Sequence, residues 1–191
     1  MTATTPYNII VGPADIYVAP VGEAFPAIDA TPAGNWVSLG KTDGGLKITH
    51  VRETQEHTVD QSSMTQKVTL TKAAEEIRFS LAEITLETYA KVLDNAVITT
   101  TAAIVGTVGN KALPLSTDLP QFAMLIRVPS PYMAANMQYE YPRVQRMDNS
   151  EVAYTKDGKT LIPTAWRALE DLSNPGQFGV VRAQHEAALA P

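Results

Sequence analysis

The residues best equipped for chemistry in this 191-residue chain lie around His57, a histidine with three carboxylates close by, at Glu53, Glu56 and Asp60. Imidazole and carboxylates are a donor set for a divalent metal, but ligation needs them on one side of an element, as in His-x-x-x-His or Asp-x-Asp, and neither spacing occurs. The cluster reads as a solvated acidic loop. His50 and His185 stand too far off in sequence to complete a ligand pattern. Gly106-Thr107-Val108-Gly109-Asn110-Lys111 has some glycines of a phosphate-binding loop, but lacks its spacing, its Ser/Thr and a following helix pattern. Glu75 and Glu76 are neighbours on a strand pattern, so they point to opposite faces and cannot act as a paired acid and base. There is no Gly-x-Ser-x-Gly elbow, and without cysteine there is no thiolate, disulfide or Cys-based metal site. No catalytic, cofactor-binding or metal-binding residue is assigned, and the expectation is a protein that is not an enzyme and needs no cofactor.

The elements that hold these residues are strands. Leu46 and Ile48, and later Val68 and Leu70, recur at every second position, with Lys47, Thr49 and Lys67, Thr69, Thr71 between them. The reading is two amphipathic strands around a polar loop from Arg52 to Met64, with Leu46, Ile48, Val68 and Leu70 in the core and the Lys/Thr face outside. A third strand follows, with Ile77, Phe79 and Leu81 on one side and Glu76, Arg78 and Ser80 on the other. The period then becomes helical: Leu86, Tyr89, Ala90 and Leu93 share a face, Thr85 is placed to cap, Glu87 and Lys91 suit the helix dipole, and Asp94-Asn95 closes the helix.

Elsewhere, residues 1 to 14 read as an arm with an apolar centre at Ile9, Ile10 and Val11, and Gly22 to Asn35 as a long surface loop containing Pro26, Pro32 and Gly34. Ala96 to Leu119 supplies one poorly specified strand and a loop. Between Gln121 and Val128 both alternating sets are largely apolar, which predicts a strand buried on both faces near the middle of a sheet. Further strands are predicted around Gln138 to Met147, Glu151 to Thr155 and, after the turn at Asp157-Gly158, Thr160 to Leu169. The tail from Ser173 holds Phe178, Val180 and Val181, enough for an edge strand.

Hydrophobic residues at 45% and charged ones at 18% place the chain among globular proteins, and its length suits one domain. The fifteen basic residues are dispersed among twenty acidic ones, so the concentrated patch of a sequence-reading nucleic-acid binder is missing. Neither a signal-peptide pattern nor an apolar run near the ~20 residues of a membrane span is present, and the expectation is a protein made in a cytosol without a membrane partner. The fold class expected is mainly β: a β-sandwich or partly closed barrel with one flanking helix at 84–94, a long hairpin loop and extended terminal arms. It is a single domain over 1–191, with an N-terminal arm (1–14) and a C-terminal tail (173–191).

Several stretches, in order, resemble the tail tube (major tail) proteins of long-tailed bacteriophages: Asp15-Ile16-Tyr17-Val18-Ala19-Pro20-Val21-Gly22, Trp36-Val37-Ser38-Leu39-Gly40, Gly44-Gly45-Leu46-Lys47-Ile48, and Leu161-Ile162-Pro163-Thr164-Ala165-Trp166-Arg167-Ala168-Leu169-Glu170-Asp171. The resemblance covers most of the chain. It implies hexameric rings that stack into the hollow tube through which the genome leaves the capsid, so the protein belongs to a virion tail made in a bacterial host. It also implies that the hairpin loop, Arg52, Glu53, Gln55, Glu56, His57, Asp60, Gln61 and Ser62, contacts the neighbouring ring. The polar face, Lys47, Thr49, Lys67, Thr69 and Thr71, would look into the channel, its lysines neutralised by acids such as Glu53 and Glu76 or else turned to a subunit interface.

Partners implied are other copies of the chain, a tape-measure protein, tail-tip and tail-completion proteins, and DNA in transit without sequence-specific binding. Two other readings stand beside this one. The same fold serves the tube of type VI secretion. Trp36, Trp166 and the tyrosines could instead form the platform of a β-sandwich binding or decoration module, although their neighbours have core periodicity.

Overall fold

The computed structural model describes residues 12–59, 62–83, 85–93, 97–115, 118–132, 136–147, 152, 154 and 158–184. Its strands are β1 (Asp15–Pro20), β2 (Val37–Ser38), β3 (Thr42–Val59), β4 (Ser62–Leu81), β5 (Thr99–Thr101), β6 (Asn110–Ala112), β7 (Gln121–Pro129), β8 (Asn136–Arg146), β9 (Ile162–Ala168) and β10 (Val180–Ala183), with helix α1 (Leu86–Leu93) between β4 and β5. Eight strands form one antiparallel sheet in the order β2-β1-β7-β8-β9-β4-β3, with β10 added to β8, while β5 and β6 pair only with each other. The protein is therefore mainly β.

The sheet curls without closing. Its end strands β2 and β3 are joined only through Leu39, Gly40 and Lys41, a link that spans at most about 14 Å, so the two ends must approach each other. Ile16 and Val18 of β1 accordingly share one apolar cluster with Ile77 and Phe79 of β4 and with Trp166 of β9, and Leu39 is buried in the same cluster. The concave face of the curl is the main core.

β7 has both faces covered, as its unbroken apolar run predicts. Phe122, Met124 and Ile126 enter the main core, whereas Ala123 and Leu125 pack on the other side with Ala19 and Trp36. That second side is covered by the segment 22–35. Arg127 donates to the carbonyls of Ala30 (2.6 Å) and Ala27 (2.9 Å), Gln138 to that of Pro26 (3.1 Å), and the Trp36 indole to that of Ala24 (2.9 Å). The predicted surface loop is thus a pinned cover over β1, β7 and β8.

The helix starts where the sequence places it, because the Thr85 hydroxyl accepts the Thr88 backbone N–H at 3.1 Å. Its buried face differs from the predicted one: Ala90 and Val92 are buried and Tyr89 partly so, but Leu86 is exposed. The helix has only eight residues, and its contact with the sheet runs along its second half, so the first-turn leucine overshoots the core. Asp94 and Asn95, the predicted stop, lie outside the described residues, as do residues 1–11 of the arm and 185–191 of the tail.

Three further expectations change. Arg52 to His57 and Met64 are not loop but strand, so β3 and β4 are far longer than their apolar periodicity indicates. The segment 96–119 supplies two short strands, β5 and β6, instead of one. Val152 and Tyr154, the described part of the strand expected at 151–155, are in no strand. The predicted strand over 160–169 is β9, and the edge strand expected from Val180 and Val181 is β10.

Candidate assembly surface

Among the described residues, β4 is held on both sides only from Glu75 to Leu81, where β9 pairs with it; from Ala74 back to Ser62 its sole partner is β3. Val51–Val59 and Ser62–Ala74 therefore leave the sheet as a two-stranded ribbon, which at about 3.3 Å per residue projects roughly 30 Å. The side-chain contacts that tie its strands, beside the backbone ladder, are exposed. Lys72 Nζ lies 2.8 Å from Glu53 Oε1, the Thr71 hydroxyl donates to the Glu53 carbonyl at 2.9 Å, His57 Nε2 is 2.9 Å from Thr69 Oγ1, and the Thr65 hydroxyl donates to Glu56 Oε2 at 2.7 Å.

A bulge sets which residues face which way. Glu53 pairs with Lys72 and Thr54 with Leu70, leaving Thr71 as an extra residue on β4. The side-chain parity of β4 changes there. Ile77 and Phe79, at odd positions, face the main core with Ile48 and Leu46, and beyond the bulge the even-numbered Val68 and Leu70 take over that face opposite Glu56 and Thr54. The predicted grouping of Leu46, Ile48, Val68 and Leu70 on one face holds. Their common burial does not: Leu46 and Ile48 pack against the core, but Val68 and Leu70 are 56% and 58% exposed because the ribbon has left the sheet behind.

The ribbon and β10 form the two arms of a fork. On one edge of β8, β10 pairs with Met137 to Glu140 and β9 with Val144 to Arg146; between them Pro142 and Arg143 oppose the single residue Ala123. The groove between the arms is lined by His50, Arg52, Val68, Leu70, Tyr141 and Val181. At its floor the Tyr141 hydroxyl donates to Glu75 Oε1 at 2.6 Å, and His50 Nδ1 is 3.5 Å from Glu75 Oε2. Burial and then the Glu75 hydrogen bond push the Tyr141 phenol far above its usual range. Sequence reasoning missed this contact, since nothing in the spacing of Glu75 and Tyr141 announces it.

Glu76, on the opposite face as expected, is bracketed by Arg167 (3.0 Å) and Arg78 (3.2 Å), whose hydrogen bonds, Arg167's first, hold its carboxyl below the ordinary value. Glu53 is engaged by Lys72. The two acids expected to neutralise Lys47 and Lys67 are thus taken by other cations, and among the described residues neither lysine has an ion pair.

The predicted site residues fall into one surface. Lys67 lies opposite His57 and Thr69 opposite Gln55, so the residues expected at the ring contact and most of those expected on the channel wall are cross-strand neighbours on the ribbon; only Lys47 and Thr49 lie within the sheet. Asp60 and Gln61 are outside the described residues, and Ser62 is placed only as the first residue of β4. Glu53, Glu56 and His57 do not converge, since each bonds a different partner and Glu56 points to the face opposite His57. In the segment 106–111, Lys111 Nζ binds Glu87 Oε1 of α1 at 2.6 Å. Of the aromatic residues, Trp36, Trp166 and Tyr141 are buried, while Tyr132 and Tyr154 are exposed and far apart in sequence.

No protein-family model matches the chain, and no curated protein matches it. Among solved structures the chain is similar to one from the tail of an empty GTA particle with C6 symmetry, at 11% identity over 93% of this chain and 96% of that one, with a TM-score of 0.42.

Proposed function

We propose that this protein is the structural subunit of a tail tube, of a phage or a tail-derived particle, and that it assembles as hexameric rings stacked end to end. The observation that carries the reading is the ribbon. A two-stranded hairpin is marginal in water on its own, and this one extends roughly 30 Å with Val68, Leu70 and Met64 exposed, so it is built to be covered by another chain. The outer edge of β3 pairs with no other strand among the described residues, and an unpaired edge of 18 residues is tolerable only where something joins it. The sequence resemblance supplies the identity of that partner as further copies of the chain. The role is structural and not catalytic, with tape-measure, tail-tip and completion proteins and DNA in transit as the other partners.

Arg52, Glu53, Gln55, Glu56 and His57 then contact the next ring. The destination of the polar face is a separate matter. A channel wall ringed with lysines lacking ion pairs would hold a passing duplex by its phosphates, which tells against the channel as the place for Lys47 and Lys67.

Electron microscopy of the purified protein tests the proposal, with rings or tubes of six-fold symmetry expected. A variant in which an Asn-Gly turn replaces residues 53–72, linking Arg52 to Ala73, should keep the sheet and no longer build stacked tubes. Tubes formed normally by that variant would remove the ribbon from the stacking contact. A strictly monomeric wild-type protein at high concentration in every salt condition would overturn the tube itself.

A further inference from the structure

The convex face of the sheet, opposite the main core, has two unlike halves. Over β1, β7 and β8 it wears the 22–35 cover, and over β9, β4 and β3 it is bare of that cover, with Lys47 and Arg78 exposed. Among the described residues, the bare half and its continuation on the ribbon present five cations, Lys47, Lys67, Lys72, Arg78 and Arg167, against the two carboxylates Glu53 and Glu76, with the Lys159–Asp43 pair neutral at the margin. Lys47 is the direct cross-strand partner of Arg78, which in turn bonds Glu76.

The covered half has the opposite sign. There is no Lys or Arg before Lys41, and Asp15, Glu23 and Asp29 all fall in this stretch. Asp15 lies opposite Arg127 and so shares its face, and Asp29 and Asp15 are exposed. The cations of this half are already engaged, Arg127 buried and bonded to Gln138 and to the cover's own carbonyls, and Arg182 paired with Glu140 at 2.9 Å.

From this charge complementarity we infer that the bare basic half of the convex face, with its continuation on the ribbon, docks on the acidic, covered half of a second copy of the chain, the surface that carries Lys47 and Lys67 meeting the one that carries Asp15 and Asp29. The two patches differ and lie toward opposite ends of one sheet, so the contact is head to tail, and such a contact closes into a ring when its rotation divides a full turn. The inference rests on the tube reading and deepens it, naming the surface that joins neighbours within a ring.

Charge reversal tests it. Lys47→Glu with Lys67→Glu makes both halves acidic, and Asp15→Lys with Asp29→Lys makes both basic. Each double variant alone should fold, judged by circular dichroism and thermal unfolding, yet lose at least tenfold in ring formation by sedimentation and microscopy. An equimolar mixture should restore assembly, because each basic patch again meets an acidic one in alternating order. A simple folding defect would not be repaired by mixing.

If wild-type rings form and both variants form them equally well, or if folded variants stay apart when mixed, the docking surface is wrong and the tube reading stands. If the wild type makes no ring but the mixed variants associate one to one, the docking is right and the tube reading fails. No association in any sample overturns both.

Discussion

The Tyr141 hydroxyl donates a 2.6 Å hydrogen bond to the Glu75 carboxylate, joining β8 to β4 across the floor of the fork at the point where the ribbon leaves the sheet. Both side chains are buried, so the bond holds the base of the projection against the body of the protein. Tyr141→Phe leaves the carboxylate with only the distant His50 and should cost about 1–3 kcal/mol in denaturant unfolding at neutral pH. The sign of the pH dependence follows from the raised phenol. Its contribution is complete below the ordinary phenol value of about 10 and is lost as pH rises beyond it, when the unfolded tyrosine ionises and the folded one resists. The stability gap between wild type and Tyr141→Phe should therefore shrink above about pH 10; a constant gap to pH 11 would show that the contact does not control ionisation.

Arg127 is the pin of the 22–35 cover. It holds the carbonyls of Ala27 and Ala30 and the Gln138 side chain, which in turn donates to Glu140 at 2.6 Å. Arg127→Met keeps the length and apolar stem while removing every one of these donors. A loss of about 2–4 kcal/mol is expected, because buried acceptors are left unpaired. Limited proteolysis should cut the variant within 22–35 much faster than the wild type, and equal rates would mean that the cover is held by Trp36 and its apolar contacts alone.

Much of the body of the protein was legible in the sequence because burial imposes a period. β7 announced both of its covered faces through Phe122 to Val128, and Thr85 announced a cap that the structure forms. The ribbon was illegible for the converse reason. Arg52 to His57 form a strand exposed on both faces, so no apolar alternation marks them, and Glu53, Gln55 and Glu56 have loop composition while sitting in register with β4. Val68 and Leu70 carried a core-like period without a core to enter. Thr71 gave no sign that it would be bulged, and the network of Arg127, Gln138 and Glu140 under the cover joins residues that no local pattern connects.

Glu76 gives the acid side of the stability profile. Hydrogen bonds from Arg167 and then Arg78 lower its carboxyl below the ordinary value of 4.5, so its contribution is present above that value and is lost as pH falls through the folded one. Asp171, lowered by the Asn174 side chain and the Ser173 backbone N–H, acts in the same direction. Glu76→Gln should be less stable than wild type at pH 7, with the two urea midpoints converging progressively below about pH 4.5. If they stayed equally far apart at low pH, the loss would reflect packing and not the carboxylate charge.

Inserting one residue between Glu53 and Thr54 would test whether the sidedness of the ribbon matters for assembly. With Thr71 paired by the inserted residue, β4 keeps one parity along its length, so Val68 and Leu70 move to the face now held by Lys67 and Thr69, and the lysine moves to the groove side. The sheet below Glu75, paired to β9, is untouched, and thermal unfolding should shift by only a few degrees. Assembly should suffer far more, because one insertion places apolar side chains where the neighbouring copy expects Lys67 and removes them from the groove. Sedimentation of the insertion variant beside wild type reads this directly. If it assembles at the same concentration, the ribbon engages its partner through backbone edges, and its two faces are interchangeable.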